Sequence, residues 1–332
     1  MKRIFLILIT LLAIACESIE EKHNVIVVDK NGNGDYTTLS EAFLDLPNNP
    51  DKWTTIKVKP GIYREKLVLD VFKNKVKIIG EKPENTIIVW NDHTGKVVKG
   101  DTINTFTSYT FSIRSNDVIL KNITIQNDAG QVGQAVACET RGDRILFDNC
   151  RFIGDQDTFF TGAERGRLYL KNCYIEGTTD YIFGPSIALF DDCLIHSKRN
   201  SYITAASTQE RSKFGYVFRN CKFTVSSDVT KLYLGRPWRS FAQTVFINCE
   251  LPAVIVPEGW HNWRSPEREK TTYYAEYHSS GEGANPDARV AWSHQLTDEE
   301  VARYTIKNIF AAKTGIEPFK EDWNPECLLD NK

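Results

Sequence analysis

The sequence predicts an all-β chain wound as a parallel β-helix, a solenoid of short strands. Three observations carry that expectation. A short motif recurs: Asn122-Ile123-Thr124-Ile125, Asn149-Cys150-Arg151-Phe152, Asn172-Cys173-Tyr174-Ile175, Asp192-Cys193-Leu194-Ile195, Asn220-Cys221-Lys222-Phe223 and Asn248-Cys249-Glu250-Leu251 all read [Asn/Asp]-[Cys/Ile]-x-apolar. The interval is roughly two to three dozen residues, the period of solenoids. Between the motifs lie strand-like runs such as RILFD and YVFRN, broken by turn residues. No long helical periodicity precedes residue 294. A leucine-rich repeat has a similar period, but its Leu-rich consensus is absent.

Each repeat is then one coil. Alternation along a strand sends the Cys or Ile and the following apolar residue to one face and the intervening Arg, Tyr, Lys or Glu to the other. Stacked coils line up their inward positions, and each Asn is placed to hydrogen-bond its equivalents above and below. This reading absorbs most of the cysteines. Eight cysteines in an exported chain ordinarily suggest disulfides. Five of them, Cys150, Cys173, Cys193, Cys221 and Cys249, fall in the same inward slot, so they read as small buried hydrophobes with redox state open. Their spacing fits no zinc site.

The ends are distinct. MKRIFLILITLLAIAC has Lys2 and Arg3 before an apolar run of about a dozen residues, the length of an export signal rather than a membrane span. Ala13 and Ala15 lead into Cys16 in a pattern resembling a bacterial lipobox, with Cys16 as the acylated mature N-terminus; the alternative is plain secretion after cleavage near Ala15. Residues 1–15 are therefore read as a signal peptide, 16–24 as a polar tether, and 25–332 as one domain. VIVVDKNGNGDYTTLSEAFLDLP predicts a strand, a Gly-Asn turn and a short capping helix from Ser40 to Leu46, stopped by Pro47. At the far end, Thr297 and Glu300 form a capping box before VARYTIKNIFA and a Gly315 stop, predicting a helical tail over one face or the end of the solenoid.

A chain of 332 residues with 41% hydrophobic and 25% charged residues has ample material for a core, and its formal charge of −2 gives no reason to expect nucleic acid. The chemistry concentrates between Gly154 and Gly184. Asp157 and Asp180 each follow a Cys motif by seven residues, which puts two carboxylates at equivalent positions on adjacent coils. Taken singly, each Asp beside Gly or Thr reads as a turn cap. Their shared register, with Gln134 one coil earlier, Gln156 beside Asp157 and Arg236 beyond, makes a row of two amides, two carboxylates and one guanidinium. The carboxylate beside Arg236 is expected to stay ionised, and its neighbour, crowded by like charge and aromatic rings, to have its pKa pushed up. That split gives a nucleophile and a general acid, with the amides as donors to an oxyanion. No Gly-x-Ser-x-Gly elbow occurs, and His23, His93, His196, His261, His278 and His294 read as tether, surface or packing residues outside the cluster.

These residues carry a family resemblance. GIYRE (61–65), QAVA (134–137), GDQDT (154–158), DYIFG (180–184) and LGRPW (234–238), with the early NGNGDYTTLSEA and the late EGWHNW, resemble in order the signature segments of pectin methylesterases. The resemblance covers nearly all of the mature chain and implies a right-handed parallel β-helix. It also implies removal of methyl esters from the C6 carboxyl of galacturonan, giving methanol and pectate through an aspartyl-ester intermediate. Carried over by motif, Asp180 is the nucleophile, Asp157 the acid and then the base, Gln134 and Gln156 the oxyanion hole, and Arg236 the group that holds Asp180 ionised. Phe160, Phe183, Trp238 and Trp260 line the sugar groove. No metal or cofactor is called for, and the expected partner is a methylated galacturonan polymer or oligosaccharide met by a monomer. Membrane contact comes only through lipid on Cys16. Departures are Cys138, Phe159 and Tyr181 at positions usually Leu, Leu and Phe, and a longer interval between the aspartates in which GAERGR holds the extra residues. A glycosidase, a pectate-degrading β-helix enzyme and an inactive saccharide-binding lipoprotein are the rival classes. Two amides aimed at an oxyanion favour ester hydrolysis over the glycosidase, the row supplies neither the calcium-binding acidic cluster nor the basic proton abstractor of a lyase, and an inactive protein is expected to have lost one of Asp157, Asp180 or Arg236.

Overall fold

The computed structural model describes residues 24–164, 166–312 and 321–329. The signal, the lipobox Cys16 and Gly315 lie outside the described residues. Among those described, the strands form an 11-stranded sheet and two 7-stranded sheets whose strand pairs run parallel along the stack, with one small antiparallel hairpin at Val97–Val98 and Asp101–Thr102. Each coil visits the three sheets in turn: Ile145–Asp148 in the long sheet, Arg151–Ile153 in the second, Phe159–Thr161 in the third. This is the predicted parallel β-helix.

The turn between the first two sheets explains the repeat. Asn122, Asn149, Asn172, Asp192, Asn220 and Asn248 all have φ between +51° and +58°, a left-handed conformation that Asn and Asp tolerate better than other side chains. The motif therefore marks a corner. Side-chain bonding between stacked corners is intermittent: Asn149 Nδ2 donates to Asn122 Oδ1 at 2.8 Å and Asn248 to Asn220 at 3.4 Å, while Asp192 is instead paired with Lys171. The next residue points inward, Ile123 in the first motif and Cys in the other five. Cys150, Cys173, Cys193, Cys221 and Cys249 are all free and buried. Each thiol donates to a carbonyl of the preceding coil, as from Cys150 to Leu120 O at 3.4 Å and from Cys221 to Phe190 O at 3.3 Å.

Inside, residues stack in register. Phe190 lies 4.4 Å from Phe218 with rings nearly parallel, and Phe218 lies 4.8 Å from Phe246. Offset stacking of this kind adds to the area buried. Outside the long sheet, Leu146, Tyr169, Leu189, Val217 and Val245 form a second apolar row, covered by Ile306, Ile309, Phe310 and Trp323 of the tail. The tail thus covers a face. Its capping box is present, but the helix runs only from Asp298 to Val301, and a second begins at Ile306. Thr305 caps that second turn through Asn308 N, and Asn308 Nδ2 bonds back to Arg303 O. The single helix expected from VARYTIKNIFA is therefore two. Arg167, fully buried, forks onto Asp143 and donates to Phe310 O at 2.8 Å and Glu321 O at 2.9 Å, fastening the tail to the sheet.

The N-terminal helix spans Leu39–Asp45, capped by Thr38, and buries Leu39, Ala42 and Phe43 at one end of the coil. At the other end Glu276 and Arg289, each 4% exposed, form a buried ion pair, and Arg289 also donates to Gly283 O.

Candidate active site

The site lies on the third sheet and on the turn that feeds it. Parallel pairing sets Cys138 beside Phe159, Phe159 beside Ile182, Ile182 beside Thr204, and Thr204 beside Gly235. That row points inward. The residues one further on, Glu139, Phe160, Phe183, Ala205 and Arg236, therefore point outward. Gly235 is constrained within this row, since a Cβ there would meet Thr204 Oγ1 at 2.0 Å. Two residues before the inward row, Asp157 and Asp180 sit at φ +65° and +50°. These left-handed turns aim equivalent carboxylates from neighbouring coils, about 4.8 Å apart along the stack. The backbone fixes both: Asp157 N donates to Thr179 O at 3.1 Å, and Asp180 N to Tyr202 O at 2.9 Å. Gln134 and Gln156 pair across a parallel bridge just before them. Both are half-buried, and among the described residues neither side-chain amide is engaged.

Electrostatics separates the carboxylates. Arg236 forks onto Asp180, Nε to Oδ1 at 3.0 Å and a terminal nitrogen to Oδ2 at 2.6 Å. Among the described residues Asp157 has no such partner, and it is pushed well above the ordinary aspartate range by burial, then by the charge of Asp180, with Arg236 opposing. Asp180 is also raised, by burial, against the hydrogen bonds and charge of Arg236. The carboxylate expected to stay ionised is thus one, 6% exposed, in which desolvation opposes the Arg236 fork. The order is nevertheless the one expected, with Asp157 the weaker acid.

Phe160, Phe183 and Trp238 come together as sequence reading expects. Phe160 and Phe183 stack at 4.6 Å, and Trp238 lies 5.8 Å from Phe183. Trp260 does not join them. It bridges to Gly235 in the inward row, is 1% exposed, and packs 4.3 Å from Tyr274 inside the coil. The aromatic that does reach the site is Trp263. Its ring lies 3.7 Å from the Arg236 guanidinium carbon, with Tyr202 at 3.9 Å, so two aromatic residues contact the cation. Tyr202 stands one coil after Asp180, and that register was its available signal. Phe106, carried in by the segment 91–107, packs 5.2 Å from Phe160 and was not anticipated. His261 borders the cluster rather than lying apart from it: its ring is 5.3 Å from Tyr202, its Nδ1 accepts from Trp263 N at 3.0 Å, and burial and Arg236 lower its pKa. A cavity of about 270 Å³ opens beside the aromatic cluster, bounded by Phe106, Phe160, Trp238, Arg141 and Arg239 among others.

A buried carboxylate pair, one member held by a forked guanidinium, beside paired free amides and an aromatic floor, is a centre for nucleophilic acyl chemistry. The Pectinesterase family model matches residues 25–313, and the chain belongs to that family. It is 37% identical to Pectinesterase 31 of Arabidopsis thaliana over 284 residues, 83% of this chain and 89% of that protein. Among solved structures, pectin methylesterase from carrot superposes with a TM-score of 0.80 at 31% identity, covering 92% of this chain and all of that one. Pectin methylesterase from Erwinia chrysanthemi gives 0.76 at 26% identity, covering 89% and 99%. The fold shared with them is the right-handed parallel β-helix.

Proposed function

We propose that the protein is a carboxylic ester hydrolase that removes methyl esters from galacturonan, with Asp180 as nucleophile and Asp157 as acid and base. The observation that carries the assignment of roles is that Arg236 forks onto Asp180 and that, among the described residues, Asp157 has no ion-pair partner. Family membership supports the reaction, and a related pectin methylesterase structure, 26% identical, is in complex with a hexasaccharide.

In the first half-reaction a carboxylate oxygen of Asp180 attacks the C6 ester carbonyl, and the Gln134 and Gln156 amides donate to the oxyanion. The C–O bond to methoxide breaks as Asp157, kept protonated by burial, gives it a proton. The acyl group is left on Asp180 as a mixed anhydride. In the second half-reaction Asp157, now a carboxylate, takes a proton from water, whose oxygen attacks the acyl carbon and releases Asp180. Phe160, Phe183 and Trp238 hold the sugar faces. Every step is completed by side chains of this row.

Residues 1–15 as an export signal, Cys16 as an acylated anchor and 25–332 as one monomeric domain complete the reading. The family's substrate, an extracellular polymer, supports export. Cys16→Ser is expected to shift the protein from membranes to a soluble exported fraction, and unchanged fractionation rejects the anchor. For the reaction, methanol and new reducing ends are measured on one methylated pectin sample. Methanol without new ends is expected; ends without methanol select a glycosidase, and neither product selects a binding protein.

A further inference from the structure

A cavity of about 440 Å³ lies outside the groove. It lies between the segment 207–214 and the C-terminal tail. We propose that it is a second saccharide site, taking a short run of de-esterified uronic acid, the product of the proposed reaction. The inference rests on the galacturonan reading for the identity of its ligand.

Its walls have the chemistry of an acidic sugar site. Lys213 and Arg303 stand exposed on different segments of its lining, and among the described residues no ion pair or hydrogen bond engages either charged head. The carboxylate in the lining, Glu300, is already committed, accepting from Thr297 N at 2.9 Å and Thr297 Oγ1 at 3.1 Å. Aromatic surface comes from Phe214, edge-on to Tyr304 at 5.5 Å, and from Tyr273. Rings of this kind pack on the apolar faces of pyranoses while cations take the carboxylates. Gln243 uses its amide nitrogen on Ser212 O at 2.8 Å, which leaves its carbonyl oxygen as an acceptor for sugar hydroxyls.

Placement links the cavity to the groove. Ser207 and Gln209 border the cavity beside Phe160 and Trp238, and Lys213 and Phe214 border this one. The Thr208 hydroxyl between them accepts from Gln243 N at 3.0 Å. One short segment therefore forms a wall of both. Each turnover converts a neutral ester into a carboxylate, so a lining with two cations against one carboxylate favours the processed part of a chain over the unprocessed part. Holding that part nearby raises the effective concentration of the remaining esters at the groove.

The test uses the full chain. Unesterified trigalacturonate is titrated into Asp180→Asn protein with and without Lys213→Gln and Arg303→Gln. Two binding events are expected in the parent, and the double substitution should abolish the more salt-sensitive one with melting temperature unchanged. In the active enzyme the same double variant should leave methanol release from a fully methylated trimer unchanged. On long, partly methylated pectin its KM should rise roughly tenfold at constant kcat, the loss of about 1.4 kcal/mol of tethering. A single binding event in the parent, or an unaltered titration in the double variant, overturns the proposal. Displacement of the trimer by inorganic phosphate at equal affinity overturns it too, as a mere anion trap. If the wild type releases no methanol, the galacturonan reading fails separately, because the titration does not depend on turnover.

Discussion

Asp157→Asn should both silence the enzyme and stabilise it at neutral pH. Burial and the Asp180 charge raise the Asp157 pKa in the folded state well above its ordinary value. A raised folded pKa means that the native protein binds this proton more tightly than the unfolded chain does. The stabilising contribution is complete below the unfolded pKa, about 3.9, and is lost as pH rises through the folded pKa. Above the unfolded pKa the wild type therefore loses about 1.4 kcal/mol of stability for each pH unit, until the folded pKa is reached. For a large domain that corresponds to ~2–4 °C in Tm per kcal/mol. Asparagine keeps the shape, tolerates the φ of +65° and cannot ionise, so it removes the titration without forcing the turn. Thermal melts of both proteins from acid to neutral pH should coincide near the unfolded aspartate pKa and diverge upward, with the variant the more stable. Methanol release should fall by about 10²–10⁴, the usual worth of a placed acid–base group. A variant no more stable at neutral pH, or a Tm gain independent of pH, refutes the assignment of Asp157 as the proton-holding carboxylate.

Asp180→Ala should abolish methanol release and prevent any acyl-enzyme from being trapped on rapid quenching with methylated substrate. Gln134→Ala should lower kcat by about 10²–10³ with KM little changed, as for loss of one oxyanion donor, measured by steady-state methanol release. Arg236→Lys replaces the fork at 3.0 and 2.6 Å by a point charge. Because Arg236 opposes the rise in the Asp180 pKa, the acid limb of the pH–rate profile should move to higher pH along with a loss of kcat/KM. Trp238→Ala should raise KM and leave melting nearly unchanged, whereas Trp260→Ala should cost about 3–5 kcal/mol of stability by emptying the core.

Most of the fold was legible because the repeat is a corner. An Asn or Asp in the left-handed region followed by an inward Ile or Cys recurs wherever the coil turns from the long sheet to the second, from Asn122 to Asn248. Counting from those corners placed Asp157 and Asp180 on one row without reference to any relative. The count fails after Cys249, where no further motif fixes the parity; Trp260 follows Gly235 in the inward row, and Trp263, three residues on, reaches the site instead. Propensity misled in the tail, where the run from Val301 to Ala311 has a helical pattern but Thr305 caps a new turn. The pKa of Asp180 was not legible either, since it depends on how completely neighbouring coils exclude water, and no local pattern records that.

Coil length decides where the site can be. Register pairs Ile145 with Leu168 and Leu168 with Ala188, so the coils carrying Asp157 and Asp180 are short. They leave little chain to form loops above the third sheet. Coils further along the stack on either side are longer: Val76 pairs with Val118 and Thr244 with Tyr274. The excess in the first contains the Val97–Val98 and Asp101–Thr102 hairpin and Phe106, and the excess in the second contains Trp260, His261 and Trp263. Short coils thus make the floor of the groove and long coils make its two walls. This also separates two kinds of change: insertions in the wall loops should alter which saccharides bind, whereas an insertion between Asp157 and Asp180 must be absorbed in the 162–166 loop, or it slips the register that sets Asp180 beside Asp157.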